Sequence, residues 1–418
     1  MDIPTTLVLL FQVVVILAFS RVVRRLFVPL GQPAVVGEMA AGLMLGPSFF
    51  GWLMPRAAAA LFAPNTLPAL SALSQIGLVL FMFLVGLRLD SPHLDARRRV
   101  AMVTSATSIA VPFVLGSLLA VAVHERLGLP GVGRLPFALF IGTAMSITAF
   151  PVLARILIDH RLLTTEVGVV AIACAAFDDV TGWMILSGVT ALVHATDLQA
   201  FIARIVLFAG YLGAMMAIVR PALRWFARRR GPRFGESAEA LAIGLLVMAV
   251  SAVTTQSLGV HALFGAFFAG LMMPREAHVE RVFVERLEKV TVTLLVPLFF
   301  AFTGLRTSVQ LIDSAALWRD AAIFLAVAII GKGGGSLLAA RAMGFAWREA
   351  SAIGVLLNTR GLIELVVLNI GLELGILSPV VFTMLVLMAL ITTFMTSPLI
   401  TWLLPAKRVA DLPGASHA

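Results

Sequence analysis

Long apolar blocks, each closed by a short polar stretch, make up this chain. LVLLFQVVVILAF (7–19) is one, and VVFTMLVLMALITTFM (380–395) is another. A membrane-crossing helix needs about 20 such residues, and strict two-residue alternation is absent, so the blocks predict helices and not a barrel of ten-residue strands. Thirteen spans are expected, near 5–26, 31–48, 69–88, 99–124, 136–158, 164–194, 199–227, 236–257, 261–274, 289–306, 317–343, 347–371 and 379–404. The expected fold class is an all-α polytopic membrane protein.

Composition agrees. Of 418 residues 60% are hydrophobic and 13% charged, against about a quarter charged in soluble domains. The formal charge of +9 does not indicate nucleic acid, because the basic residues collect in alternate connections. Arg21/Arg24/Arg25, Arg88/Arg97/Arg98/Arg99, Arg155/Arg161, Arg220–Arg233, Arg275/Arg281/Arg286/Lys289, Arg341/Arg348 and Lys407/Arg408 put 23 on one side. Arg56, Arg126, Arg134, Arg306 and Arg319 put five on the other. By the positive-inside rule the N-terminus is outside and the C-terminus cytoplasmic. The first block has no basic leader and no cleavage site, so it is expected to remain as a span.

Two short matches suggest an internal repeat. Ala41-Gly42-Leu43-Met44 recurs at Ala269–Met272, and Gly86-Leu87-Arg88 recurs at Gly304-Leu305-Arg306. Both pairs lie seven spans apart, an odd number, so the halves should be inverted, as in many secondary transporters. One transmembrane domain over 1–404 is expected. Its repeats cover about 5–194 and 236–404, with a connector span near 199–227 and a short cytoplasmic tail, 405–418.

Ionisable residues interrupt the blocks at one depth. Midpoints between flanking charges fall beside Asp178 and Asp179 in 164–194, Lys332 in 317–343 and Arg360 in 347–371, and beside Ser146 and Thr148 in 136–158. Each such charge costs about 3 kcal/mol or more on insertion scales and must pair or face a wet cavity. Phe150-Pro151 and Asn358-Thr359-Arg360-Gly361 should break their helices at this depth, exposing half-helix ends suited to ions. A plain proline kink and a glycine packing contact are the alternatives. Adjacent helical positions project about 100° apart, so one aspartate can pair with Lys332 while the other faces the cavity between the broken helices. That second carboxylate is a hard oxygen site for a monovalent cation, with Ser146 and Thr148 able to complete the shell, or it can take a proton. Such mutually exclusive occupancy is antiporter chemistry.

Other motifs have plainer readings. Arg360 and Glu364 are spaced to stack on one helix face, as a structural ion pair steadying the break or as a gate and charge-compensation element. Glu38 should partner a basic group, and His261 should make a polar contact at a helix end or sense pH. Ile330-Gly-Lys-Gly-Gly-Gly-Ser336 lacks phosphate-loop spacing; its glycines suit close helix approach. Cys174 reads as a small buried side chain.

SITAFPVLARIL (146–157), AAFDDVTGWMIL (175–186), GVHALFGAFFAGLMMP (259–274), VPLFFAFTGLRT (296–307) and NTRGLIELVVLNIG (358–371) resemble the monovalent cation:proton antiporter-2 family, in the flavour of bacterial relatives of the plant cation/H⁺ exchangers. The resemblance implies the sodium/proton antiporter fold, with two crossed discontinuous helices, a homodimer and elevator-type alternating access. It implies that Asp179 is the essential cation/proton carboxylate. Asp178 would be the preceding acid and Lys332 its partner in the electrogenic subgroup, with Thr148 in the site wall. Plant exchangers usually carry Asn-Asp where this chain has Asp-Asp, and some relatives place Glu directly after the Arg-Gly that here is Arg360-Gly361. With the sequence running only a short way past its last expected span, the nucleotide-binding domain of glutathione-gated relatives is not expected.

A secondary Na⁺ or K⁺/H⁺ antiporter is therefore expected, electrogenic if Lys332 releases its proton as the cation binds. No cofactor, nucleic-acid partner or enzymatic activity is expected. An intramembrane aspartyl protease would need its two aspartates on facing helices and a GxGD motif, which is absent. A channel, or a carrier of another solute on the same fold, is the remaining alternative. An arginine-over-lysine, alanine-rich composition points to a GC-rich bacterial genome and so to the cytoplasmic membrane.

Overall fold

The computed structural model describes residues 5–88, 98–194, 198–230, 238–274 and 283–405. All of the expected tail after Pro405 and several of the basic connections (Arg97, Arg233, Arg275, Arg281, Lys407 and Arg408) lie outside the described residues. The elements are α1 (Thr5–Phe27), α2 (Ala34–Leu45), α3 (Pro55–Leu61), α4 (Leu67–Arg88), α5 (Arg98–Leu127), α6 (Arg134–Ser146), α7 (Phe150–Asp159), α8 (Glu166–His194) and α9 (Leu198–Ala214). There follow α10 (Arg220–Arg230), α11 (Ala238–Ser257), α12 (Ala262–Met272), α13 (Val296–Leu305), α14 (Ala315–Ala328), α15 (Gly335–Ala342), α16 (Trp347–Leu357), α17 (Leu362–Glu373) and α18 (Pro379–Leu403).

Each of the thirteen expected stretches is helical among the described residues. Among the described residues nine helices are long and apolar enough to cross a membrane, or ten when α16 and α17, bent by 43°, count as one broken span. α2 and α12, with 12 and 11 residues, rise only about 18 and 16 Å at 1.5 Å per residue, so by themselves they fall short of a bilayer core of about 30 Å. The short helix α3 was not foreseen. Wider π turns replace α-helix at Met215–Val219 between α9 and α10 and at Ile329–Gly334 between α14 and α15.

Chain contacts define two compact units. The first comprises Met1–Pro64, Pro92–Gly182 and Phe300–Ala418. Its main apolar core gathers Val152, Leu153, Ile156 and Leu157 of α7, Val167 to Ala175 of α8 and Ile353, Leu356 and Leu357 of α16. Close backbone approach is its second device. A Cβ on Gly42 would fall on the Phe300 carbonyl, and one on Gly304 would fall on the Gly42 carbonyl. The second unit comprises Asn65–Ser91 and Trp183–Phe299, and the same device recurs there. A Cβ on Gly86 would meet the Phe267 carbonyl, and one on Gly270 the Phe83 carbonyl. The glycines of the two short matches thus sit where α2 approaches α13 in one unit and where α12 approaches α4 in the other. Lipid tails are as apolar as leucine, so contact of this kind, more than burial from water, holds such helices together.

Candidate functional site

The site is built in the first unit, where two helices break. α6 stops at Ser146 and α7 starts at Phe150. The interruption is therefore Ile147–Ala149, just ahead of the expected Phe150-Pro151. Pro151 falls in the first turn of α7, where its missing N–H costs nothing. α16 stops at Leu357 and α17 starts at Leu362, leaving Asn358-Thr359-Arg360-Gly361 as the second break. The breaks cross and bond to each other. Ala149 N–H donates to Thr359 O at 3.0 Å, and Thr148 Oγ1 lies 3.1 Å from Leu357 O. A Cβ on Gly361 would come within 2.6 Å of Val152 Cγ2, so glycine permits this approach.

A broken helix leaves its last carbonyls without N–H partners, and two buried cations meet those of α6. Arg360 Nη1 donates to Ala144 O at 2.9 Å and Nη2 to Met145 O at 2.7 Å. Lys332 Nζ donates to Ser146 O. Cations also suit the negative end of the helix dipole. Arg360 binds Glu364 at 2.9 Å, with both side chains inaccessible to solvent, and its peptide is held by Thr393 Oγ1, which accepts from Arg360 N–H at 3.0 Å and donates to Arg360 O at 2.6 Å. The structural reading of the Arg360–Glu364 spacing therefore has a geometry: the pair spans one turn of its own chain and caps a different helix.

The two aspartates differ sharply. Asp178 is fully buried and fully bonded. Lys332 Nζ donates to its Oδ2 at 2.9 Å, Thr148 Oγ1 to Oδ2 at 2.7 Å and Ser105 Oγ to Oδ1 at 2.7 Å, while Ser108 Oγ sits 2.8 and 3.0 Å from the two oxygens. Asp179 is also fully buried, yet neither of its oxygens has a hydrogen-bond partner among the described residues. A buried unpaired carboxylate must be neutralised by something.

Thr148 therefore binds Asp178, not the open aspartate. Ser146 turns its hydroxyl to Gly142 O at 2.7 Å and Ile109 O at 3.1 Å, and offers Lys332 its backbone carbonyl instead. Ser105, Ser108 and Thr393 were missed from the sequence. The run Thr104-Ser105-Ala106-Thr107-Ser108 inside an apolar span was a signal for the first two. Elsewhere Glu38 pairs with Arg24 at 3.5 Å, and His261 caps α12, accepting from Leu263 N–H at 3.4 Å. The glycine run admits close neighbours as expected: Cβ atoms on Gly331 and Gly335 would lie 3.1 Å from Pro112 Cα and Val111 Cβ.

Comparison with known proteins bears on the fold and the family. Over 407 residues the chain is 40% identical to the Na(+)/H(+) antiporter NhaS4 of Synechocystis sp., covering 97% of this chain and 99% of that one. It is 34% identical to the K(+)/H(+) antiporter 1 of Saccharomyces cerevisiae over 95% of its own length, but spans only 46% of that protein. The fold matches the sodium proton antiporter MjNhaP1 of Methanocaldococcus jannaschii with a TM-score of 0.66 over 98% of this chain and 99% of that one, at 13% identity. Residues 13–406 match the family described as "Sodium/hydrogen exchanger, transmembrane". With that match over nearly the whole chain, and a relative 40% identical along its full length, the protein belongs to the sodium/hydrogen exchanger family of membrane transporters.

Proposed function

We propose that the chain exchanges a monovalent cation, Na⁺ or K⁺, for protons, and that Asp179 carries both in turn. One observation carries this reading: among the described residues neither oxygen of the buried Asp179 has a hydrogen-bond partner, while its neighbour Asp178 is saturated. An empty Asp179 is neutral with a proton; a loaded one is neutral with a cation. The two states exclude each other, which couples the ions. Ser146 and Thr148 stand at the break of α6, where Thr148 Oγ1 holds the neighbouring Asp178 at 2.7 Å. One relative is named for Na⁺ and another for K⁺, so both cations remain candidates.

Finer features follow from the same reading. Lys332 balances Asp178, and Arg360 with Glu364 compensates charge at the breaks. Release of a second proton from Lys332 on cation entry makes the exchange electrogenic. The carrier works as a homodimer in the cytoplasmic membrane, N-terminus outside, with elevator-type alternating access. Proteoliposomes with an acid lumen and a trapped pH dye test it. External Na⁺, K⁺ or Li⁺ should alkalinise the lumen, and Asp179→Asn should abolish the response without loss of folded protein. Silence towards every cation from intact wild type rejects antiport in favour of another solute on the same fold. Rates unaffected by an imposed membrane potential reject electrogenicity alone.

A further inference from the structure

Lys332 Nζ has three acceptors: Asp178 Oδ2 at 2.9 Å, Ser146 O, and Ser108 O at 3.2 Å. Ser146 O is available because α6 ends there. Ser108 lies in the middle of α5, where a carbonyl normally accepts from the N–H four residues on. Four residues on is Pro112, inside the helix. Proline has no N–H, and its ring also pushes against the carbonyl of residue i−4. Ser108 O is thus left without its helical donor and takes the lysine ammonium instead. Pro112 also meets the lysine's own segment, since a Cβ on Gly331 would lie 3.1 Å from Pro112 Cα.

The same substitution of partners occurs once more. Pro398 lies inside α18, and the carbonyl it leaves unclaimed, Phe394 O, accepts from the buried Gln32 Nε2 at 2.9 Å. There the recovered donor is a neutral amide and not part of the ion site.

We infer that Pro112 is a positioning residue for the ion site: by withholding an N–H from Ser108 O, it reserves that carbonyl for Lys332 and so sets how firmly the lysine is held against Asp178. This role rests on the antiport reading for its use in transport, but not for its geometry. Pro112→Ala restores one N–H in a residue that favours helix, and the new donor competes for Ser108 O.

The test measures the pH profile of cation-driven exchange in proteoliposomes and, separately, the pH dependence of Tm in detergent, for wild type, Pro112→Ala and Pro398→Ala. The expected result is a midpoint displaced by about one pH unit, a tenfold effect, in Pro112→Ala alone. The matching displacement in the Tm curve should vanish in a Lys332→Met background. An unmoved profile and Tm curve, an equal displacement in Pro398→Ala, or a displacement that survives Lys332→Met overturns the assignment. If the alanine variant is not recovered folded, Pro112→Gly restores the same N–H and decides by the same comparison. Should wild type exchange no cation, the antiport reading fails by itself, and the Tm curves still decide the role of Pro112.

Discussion

Lys332 and Asp178 should behave as one energetic unit. Their charges lie 2.9 Å apart with no solvent access, which at an effective dielectric near 20 is a gross attraction of about 6 kcal/mol. Desolvation of both ions offsets much of it. Removing either partner leaves the other charge buried, a loss of about 3–5 kcal/mol in comparable sites, whereas removing both can be nearly neutral. Asp178→Asn and Lys332→Met should therefore each destabilise by about 3–5 kcal/mol, and the double variant should cost no more than one single. The coupling energy is therefore expected at about 3 kcal/mol or above, read from equilibrium unfolding in mixed micelles at constant pH. In Asp178→Asn an amide nitrogen donates where a carboxylate oxygen accepted from the hydroxyls of Ser105, Ser108 and Thr148, but that loss occurs with and without Lys332 and so cancels from the coupling. Single costs that add within about 0.5 kcal/mol, the behaviour of independent sites, would refute the claim that the lysine is held chiefly by this carboxylate.

Gly42→Ala and Gly270→Ala, which put a methyl onto a neighbouring helix carbonyl, should sharply reduce folded yield by size-exclusion chromatography, while Gly188→Ala, with no atom within 4 Å of its Cβ, should be neutral or stabilising. His160, half-buried in the turn after α7, shares a 2.8 Å hydrogen bond with Ser397 Oγ. Burial lowers its imidazole pKa from the ordinary 6.5, against the opposing pull of Asp159. The unfolded chain thus binds this proton at a higher pH than the fold does. Stability should fall as pH drops below about 6.5 and level off beneath the folded value, and Tm measured from pH 7.5 downward should lose that component in His160→Gln.

Much of the architecture was legible along the chain because membrane burial is a local constraint. Every backbone group in lipid must bond within its own helix, so apolar block length alone located the helical stretches. Their charge asymmetry supported an ordering, and Gly42, Gly86, Gly270 and Gly304 marked contacts that only a bare backbone allows. The cost of a charge at that depth singled out Asp178, Asp179, Lys332 and Arg360, and the four-residue spacing from Arg360 added Glu364. Partner choice was not legible. Asp178 and Asp179 are chemically identical neighbours, and only the fold gives one of them a lysine and three hydroxyls and the other no hydrogen-bond partner among the described residues. Arg360 could be read as a partner for Glu364, four residues away; its hold on Ala144 and Met145 crosses more than two hundred positions. Nothing along the chain ties Pro112 to Lys332; in space its missing N–H leaves Ser108 O to the lysine. Helix formation is decided by neighbours within four residues, whereas the satisfaction of orphaned donors, acceptors and charges is decided by whichever groups tertiary packing brings within about 3 Å.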